Sequence, residues 1–403
     1  MSNPIAGKSI TLGVTGSIAA YKAADLASKL HQSGAQVDVI LTEAALKFIT
    51  PLTFQSVTAR KAYTDADLWG GEGHVTHVAI GHAADLVIVA PASANTLAKL
   101  AHGIADNLLT VTVLASTCPL LIAPAMDAGM FSNPATQKNL EILRERGTVV
   151  VGPAEGHLAS GLVGKGRMVE PMDILGQVRY LLSRTGPLSG KHVVVTAGGT
   201  QEPIDPVRFI TNRSSGKQGY AIAQAALDLG ADVTLITTPT GLNAPCGAAV
   251  IHVRTAEEML QAVLTYSRNA DLLIMSAAVA DFRPAQTAEQ KIKKTGKELT
   301  LTLMPTTDIL AMVHQKRQQS GFPRHVIGFA AETEDLLNNA QKKLVSKGLD
   351  MIVANNVSAL DAGFEVETNR VSFLFPDGRK VDFPLQSKYE VAERILGEAL
   401  SWL

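Results

Sequence analysis

The sequence predicts an α/β protein built as two tandem doubly wound domains, and three observations carry that prediction. Each half opens with a Gly-Lys pair, Gly7-Lys8 or Gly190-Lys191, followed by an apolar run that ends in a glycine turn: SITLGVTGSIAA in one half, HVVVTAGGT in the other. The second strands correspond as well, Gly34-Ala35 leading into Gln36–Thr42 and Gly230-Ala231 into Asp232–Thr238, and Ala84–Ala90 matches Ala270–Ser276. Between these strands lie helical stretches, Ile18–Gln32 and Gly219–Leu229, each closed by a glycine on its C-terminal side. Near-continuous apolar strands alternating with helices mean parallel sheets covered on both faces. In such sheets ligands bind beyond the carboxyl ends of the strands.

Composition bounds the rest. A chain of 403 residues has room for two or three domains, and 46% hydrophobic with 18% charged residues is an ordinary globular balance. The formal net charge of −1 leaves no global basic field to recruit nucleic acid or an anionic membrane. Cys118 and Cys246 are too few for a disulfide framework or a zinc site. The N-terminus has no signal-peptide pattern, so the chain reads as cytoplasmic. The uncharged run Leu108–Met126 contains Pro119 and Pro124 and divides into a helix end and a strand, Leu120–Ala123, which is the pattern of buried soluble core. Ser183–Ser189 has linker composition and places the domains at residues 1–185 and 190–403.

In the first half, Thr15-Gly16-Ser17 ends the first strand and starts a helix, Thr42 ends the second strand, and Pro91–Thr96 ends the next and begins another helix. Small hydroxylated residues at three strand ends suit a phosphate and a polyol chain. The spacing is not G-x-G-x-x-G, which argues for a mononucleotide and against a nicotinamide dinucleotide. His77, beside an apolar patch, would ordinarily be a hydrogen-bonded structural residue.

In the second half, Val193–Ala197 runs into Gly198-Gly199, and Asn212 with Ser214-Ser215-Gly216-Lys217 follows 14 residues after Gly198. Two donor-rich loops are thus joined by a connector that Pro203, Asp205 and Pro206 stiffen and that looks too polar to be core. Asp281 follows a strand, where the plain alternative is a turn aspartate. Lys291 lies in the charged run Gln290–Thr295, ordinarily a solvated face. Lys343 and Lys347 are four apart on an expected helix, so two like charges share one side, as a polyphosphate partner would require.

The string VVVTAGGTQEPIDPVRFITNRSSGKQG resembles phosphopantothenate–cysteine ligase, the second half of the bifunctional coenzyme A biosynthesis proteins. GSIAAYKAADL, PASANTLAKLAHGIADNLL and PAMDAGM resemble the first half of the same family, the FMN-dependent phosphopantothenoylcysteine decarboxylases. The resemblance runs from Ile10 to about Phe373 and implies two Rossmann-like domains, a flavoprotein domain and a nucleotide-dependent ligase domain. It implies that Gly16, Ser17, Thr42, Ser93, Asn95 and Thr96 contact FMN, that Gly103–Asn107 help build the pocket across a subunit contact, and that His77 acts beside the flavin. In the ligase it implies that Asn212 holds an acyl-cytidylate and that Lys291 stabilises charge on the acyl phosphate. Gly198, Ser215, Gly216, Lys217, Ala277, Asp281, Thr307, Asp308, Ile309, Leu310, Phe329, Lys343 and Lys347 would serve substrate and nucleotide, with Phe329 offering a stacking face and Asp281 accepting from the cytosine amino group or the ribose, or helping to hold Mg²⁺. The implied reaction joins 4′-phosphopantothenate and cysteine at the expense of CTP, then decarboxylates the product to 4′-phosphopantetheine. The implied assembly is a homo-oligomer, trimeric through flavin domains and dimeric through ligase domains.

Two positions depart from the family pattern. Asp127 stands where the family has asparagine and Ser160 where it has cysteine in the flap GHLASGLVGKGRM. A charged Asp127 within about 4 Å of a substrate carboxylate would oppose binding by roughly 4 kcal/mol at an effective dielectric near 20. Either Asp127 is protonated, or the substrate sits differently, or this half does something else. A serine hydroxyl cannot copy thiol chemistry, and Cys118 is on the wrong segment to replace it. The alternatives are therefore an active ligase joined to a degenerate flavin domain, or a non-catalytic flavin-binding regulatory subunit.

Overall fold

A computed structural model of the chain describes residues 3–69, 75–294, 298–332, 336–356 and 366–403. Thr295, which ends the charged run named above, lies outside the described residues. Two compact units divide at Leu182/Ser183.

The first unit holds a parallel sheet of β1 (Ser9–Val14), β2 (Gln36–Leu41), β3 (Ala62–Tyr63), β4 (Leu86–Ala92), β5 (Leu120–Pro124) and β6 (Val149–Val150) in the order β3-β2-β1-β4-β5-β6. The chain starts at the centre, winds outward to β3, and returns to start again at β4. The reversal falls between β1 and β4, and the crevice outside that reversal is where ligands bind. Leu12, Val14, Val39 and Ile88 are fully buried, as a sheet covered on both faces requires. Truncating Leu12 or Ile88 to alanine costs about 2–5 kcal/mol. A hairpin, β7 (Ala154–His157) with β8 (Val163–Arg167), follows the sheet.

The run Leu108–Met126 folds as expected into a helix, Leu108–Ala115, and the strand β5. Among the described residues no helix is long and apolar enough to cross a membrane.

The second unit repeats the plan. β9 (His192–Ala197) leads to a two-stranded ribbon, β10 (Gln201–Pro203) with β11 (Phe209–Thr211), before β12 (Asp232–Thr237), β13 (Ala249–His252) and β14 (Leu272–Met275). A second ribbon, β15 (Phe282–Pro284) with β16 (Leu303–Pro305), precedes β17 (His325–Glu332) and β18 (Met351–Asn356). After β19 (Thr368–Asn369), the strands β20 (Val371–Leu374) and β21 (Lys380–Asp382) add an antiparallel edge, giving the order β13-β12-β9-β14-β17-β18-β20-β21. The reversal here lies between β9 and β14. Helices Lys217–Asp228 and Lys388–Ala399 pack together on one face. Helices Ala256–Tyr266, Ile309–Ser320 and Leu336–Ser346 share the apolar core of the other.

The connector between the two donor loops is not the exposed polar loop its composition suggests. Asp205 and Glu202 are both buried. Asp205 accepts from the N–H groups of Val207, Arg208 and Ile292 at 2.8, 2.9 and 3.1 Å, and Glu202 from that of Ala256 at 2.8 Å. Enough backbone donors converge on these carboxylates to replace the water they lose.

Candidate functional sites at the two sheet reversals

In the first unit the strand ends are tied together by hydroxyls. The buried Thr15 Oγ1 donates to the Pro91 carbonyl at 2.7 Å and accepts from the Ser93 N–H at 2.9 Å, linking the ends of β1 and β4. Ser93 caps helix Ala94–His102, its Oγ accepting from the Thr96 N–H, and lies 3.1 Å from Thr96 Oγ1. Thr42 Oγ1 accepts from the Ala45 N–H at 3.3 Å. Gly16 passes so close to the loop after β2 that a Cβ there would lie 2.5 Å from Ala44 Cβ. The helix that follows, Ala20–Gln32, has no side-chain cap on its first turn. Its N–H groups are the donors a phosphate takes at a helix N-terminus. Thr15, Gly16, Ser17, Thr42, Ser93, Asn95 and Thr96 thus stand at neighbouring strand ends, Asn95 with its side chain exposed. The set is neutral and donor-rich, which fits a flavin mononucleotide's phosphate and ribityl hydroxyls.

His77 lies on helix Thr76–Ala83, and its buried Nδ1 has no hydrogen-bond partner among the described residues. A satisfied structural histidine would have one.

The two departures meet. Ser160, at the tip of the β7–β8 hairpin, donates to Asp127 Oδ2 at 2.6 Å. Asp127 Oδ1 accepts from the Gly129 N–H at 2.9 Å and caps the short helix Ala128–Ser132. The Ser160 hydroxyl and then the Gly129 N–H hold the Asp127 carboxyl below its ordinary value. The hairpin is seated on this loop: the Met126 N–H donates to the Gly166 carbonyl at 3.0 Å, and a Cβ on Gly166 would lie 2.3 Å from Met126 O. Cys118 is half-buried just before β5, at the opposite edge of the parallel sheet, and burial raises its thiol pKa.

In the second unit a cavity of about 620 Å³ opens at the sheet reversal. It gathers Asn212, Ser215, Gly216, Lys217, Ala277, Asp281, Thr307, Asp308, Ile309, Leu310, Phe329 and Lys343 from distant stretches of chain. Asn212 Nδ2 donates to the Val279 carbonyl at 2.9 Å, which leaves a second amide N–H for a ligand. The loop after β14 is fixed by Thr196 of β9 and Thr200 of the turn that follows it: Ala277 N–H donates to Thr196 Oγ1 at 3.1 Å and Ala280 N–H to Thr200 Oγ1 at 2.9 Å. Asp308 caps helix Ile309–Ser320 and pairs with Lys347 at 2.7 Å. Burial pushes the Asp308 carboxyl up, but Lys347 and the Ala311 N–H outweigh it and hold the group below its ordinary value. Lys343 Nζ donates to the Phe329 carbonyl at 3.1 Å.

Three expected site residues stand apart from the cavity wall. Gly198 is not among the lining residues; its φ of +86° and a Cβ position 2.0 Å from Thr238 Oγ1 make it a packing glycine of the turn. Lys291 is exposed and outside the lining, on a loop anchored through Ile292 to Asp205 and Arg208. Lys347 directly follows helix Leu336–Ser346, its N–H still donating to the Lys343 carbonyl at 3.1 Å, and its ammonium pairs with Asp308.

Lys388, Asn355 and Asn369 also line the cavity and escaped the motif reading. Ser387 and Glu390 form a capping box around Lys388, a sequence signal that places a lysine at the first helical position. Among the described residues no cluster of three His, Cys, Asp or Glu side chains could hold a metal by itself. Mg²⁺ is commonly held by one or two carboxylates plus substrate phosphates, and Asp281 fits that lesser demand.

Comparison with known proteins gives both units relatives. The Flavoprotein family model matches residues 2–183, and the model for the DNA/pantothenate metabolism flavoprotein C-terminal domain matches residues 188–402. The chain is 47% identical over 394 residues to the coenzyme A biosynthesis bifunctional protein CoaBC of Bacillus subtilis, covering 97% of this chain and 96% of that one. It is 44% identical to the same protein of Vibrio vulnificus strain YJ016, covering 97% of each. A crystal structure of the C-terminal domain of a CoaBC protein aligns with 54% of this chain and 98% of its own length at 39% identity and a TM-score of 0.46.

Proposed function

The chain belongs to the family of coenzyme A biosynthesis bifunctional proteins, and from that premise we propose how its two units divide the work. It is a bifunctional enzyme, a ligase joined to a flavin-dependent decarboxylase. A degenerate flavin domain or a purely regulatory subunit is not favoured.

In the ligase, the carboxylate of 4′-phosphopantothenate attacks the α-phosphorus of CTP and pyrophosphate leaves. The amine of cysteine then displaces CMP, giving 4′-phosphopantothenoylcysteine. Asn212 donates its free amide N–H to the acyl carbonyl or the α-phosphate without adding charge. Phe329 and Ala277 border the base, Asp281 takes the ribose or a phosphate-bound Mg²⁺, and Ser215, Gly216, Lys217, Thr307 to Leu310 and Lys343 hold the remaining groups. Lys291 reaches in from its anchored loop as charge develops. Positioning and charge neutralisation carry such a reaction without a covalent nucleophile. The observation that supports this most is the gathering of Asn212, Lys217, Asp281, Phe329 and Lys343 around one cavity.

In the decarboxylase, FMN would be held by Gly16, Ser17, Thr42, Ser93, Asn95 and Thr96, and would supply an acceptor for two electrons from the cysteine-derived thiol and give them back once CO₂ has left, so that the reaction is redox-neutral overall. His77, with its unpaired Nδ1, takes or positions the proton that leaves. Asp127, ionised and bonded to Ser160, holds the flap hairpin over the site, and the substrate carboxylate sits away from it. We further propose a cytoplasmic homo-oligomer with trimeric flavin-domain and dimeric ligase-domain contacts.

The test is mass spectrometry of one reaction containing the protein, 4′-phosphopantothenate, cysteine, CTP and Mg²⁺. 4′-Phosphopantetheine is expected. Arrest at 4′-phosphopantothenoylcysteine would overturn the decarboxylase assignment, and replacement of CTP by ATP without loss would overturn the nucleotide assignment.

A further inference from the structure

We propose that Lys22 is a positioning residue of the decarboxylase: it pins the root of the β7–β8 hairpin to the helix that follows Gly16-Ser17, and so fixes the angle at which the hairpin stands over the flavin site. The proposal rests on the decarboxylase reading and adds to it a residue that acts through the hairpin rather than on the substrate.

Lys22 lies in the first turn of helix Ala20–Gln32 and is only 5% exposed. Burying an ammonium is costly unless it is paired, and the positive end of a helix is the wrong place for a cation. The sequence accepts both costs at one position. Lys22 Nζ donates to the Met168 carbonyl at 2.9 Å and to Glu170 Oε1 at 2.8 Å. The same carboxylate oxygen accepts from Arg167 Nη2 at 2.9 Å, and Arg167 is the last residue of β8. Lys22 first, and then Arg167, hold the Glu170 carboxyl below its ordinary value. The Glu170 carbonyl accepts from the Asp173 and Ile174 N–H groups at the start of helix Pro171–Ser183. One lysine thus joins the start of one helix, the end of the hairpin and the start of the next helix.

The rest of the hairpin is seated elsewhere. Its tip bonds to Asp127 through Ser160, the Gly166 carbonyl accepts from the Met126 N–H, and a Cβ on Gly164 would lie 2.9 Å from Ala128 Cβ. All three partners belong to the loop and short helix after β5. Lys22 belongs to the segment after β1, and β4 lies between β1 and β5 in the sheet. Anchors on both sides of a strand fix an angle, where one anchor would leave a pivot. Met168 is buried in the same core cluster as Ala19, Ala20 and Ala23, which holds the root's carbonyl in place.

Stability alone does not call for a lysine here. A buried ion pair is often no more stabilising than a well-packed apolar side chain of similar volume, and the Glu170 side chain keeps 55% of its surface exposed. An apolar side chain would not supply direction, which two hydrogen bonds on the hairpin root do. Misplacement by about 1 Å costs on the order of 100-fold in rate.

The experiment uses the full chain loaded with FMN. Lys22→Met removes both hydrogen bonds with a side chain of similar length. Decarboxylation of supplied 4′-phosphopantothenoylcysteine falls on the order of 10–100-fold in kcat/KM, while flavin content and ligation are kept. Hydrogen exchange read by mass spectrometry rises about tenfold in the β7–β8 hairpin and not in the sheet beneath it, and Tm stays at or above that of the wild type. Glu170→Ala, at the exposed end of the pair, gives the same local change at smaller size and serves if Lys22→Met does not fold. A lower Tm with exchange raised throughout the first unit would make Lys22 a structural residue and overturn the proposal. Unchanged hairpin exchange in a folded variant would overturn it too, and flavin lost in proportion to activity would assign the lysine to the cofactor instead. A wild-type chain that decarboxylates nothing would overturn the decarboxylase reading, whereas exchange raised in the hairpin alone in Lys22→Met would still support the anchor.

Discussion

The two units share one strand order around a central reversal, yet their sites use opposite chemistry. At the reversal of the first unit the functional groups are neutral: Thr15, Ser17, Thr42, Ser93 and Thr96, with helix N–H groups behind them. At the reversal of the second they are charged: Lys217, Lys343, Lys388, Asp281 and Asp308. Neutral donors suit a cofactor that stays bound through turnover. Charges suit substrates whose phosphates arrive, react and must leave. The fold supplies the crevice, and the side chains decide which traffic it carries.

The sharpest way to break this comparison is to change charge in the ligase alone. Asn212→Asp would set a carboxylate against the acyl phosphate, and ligation should fall about 10²–10³-fold while flavin absorbance at the first site is unchanged. Equal loss of flavin would mean that the variant is misfolded. A steric change in the other unit gives the converse. In Gly166→Ala the new Cβ would lie 2.3 Å from Met126 O, so the hairpin must shift. Decarboxylation of supplied 4′-phosphopantothenoylcysteine should drop on the order of 100-fold, with ligation kept.

Asp205→Ala should have a smaller effect, about tenfold on ligation, because it loosens the Lys291 loop without touching substrate. Burial opposes ionisation of Asp205, but the N–H bonds from Val207, Ile292 and Arg208 and the Arg208 charge win and depress its pKa. A depressed carboxyl contributes stability above its unfolded pKa of about 3.9 and loses it as pH falls through the folded value. The Tm gap between wild type and Asp205→Ala should therefore be widest near neutral pH and close below about pH 4; a gap independent of pH would refute the electrostatic account.

Lys388 has the opposite sign. Its folded pKa of about 8 lies below the ordinary 10.5, so the unfolded chain binds its proton more tightly and the cost is fully present below pH 8. It fades as pH rises toward 10.5. Ligand-free Lys388→Met should melt above wild type at pH 7, with the advantage shrinking by pH 10. The smallest effect is expected for Ser160→Ala, which removes the first cause of the low Asp127 pKa. The carboxyl should titrate closer to its ordinary value by NMR, and no movement would mean that the hairpin contact is absent in solution.

Much of this was legible in the sequence because it is local. The alternation of apolar strands with glycine-ended helices specified both sheets, and hydroxyls next to strand ends pointed to a pocket for a phosphate and a polyol chain. Ser387 and Glu390 announced the helix start at Lys388 by a purely local rule. What stayed hidden depends on distant segments meeting. Polarity made the Asp205 connector look exposed, since nothing local says that N–H groups from Val207, Arg208 and Ile292 will replace its water. Asp127 and Ser160 were two separate anomalies in the sequence, 33 residues apart, and only the folded hairpin makes them one hydrogen-bonded pair. Lys388 looks like a surface lysine until helix Lys388–Ala399 packs on helix Lys217–Asp228 and turns it into the cavity. Periodicity and turn chemistry act over a few residues, so the sequence by itself determined the layers and the edge at which ligands bind. Burial, charge pairing and pKa are set by neighbours far along the chain, so only the tertiary structure decided which charges face the substrates.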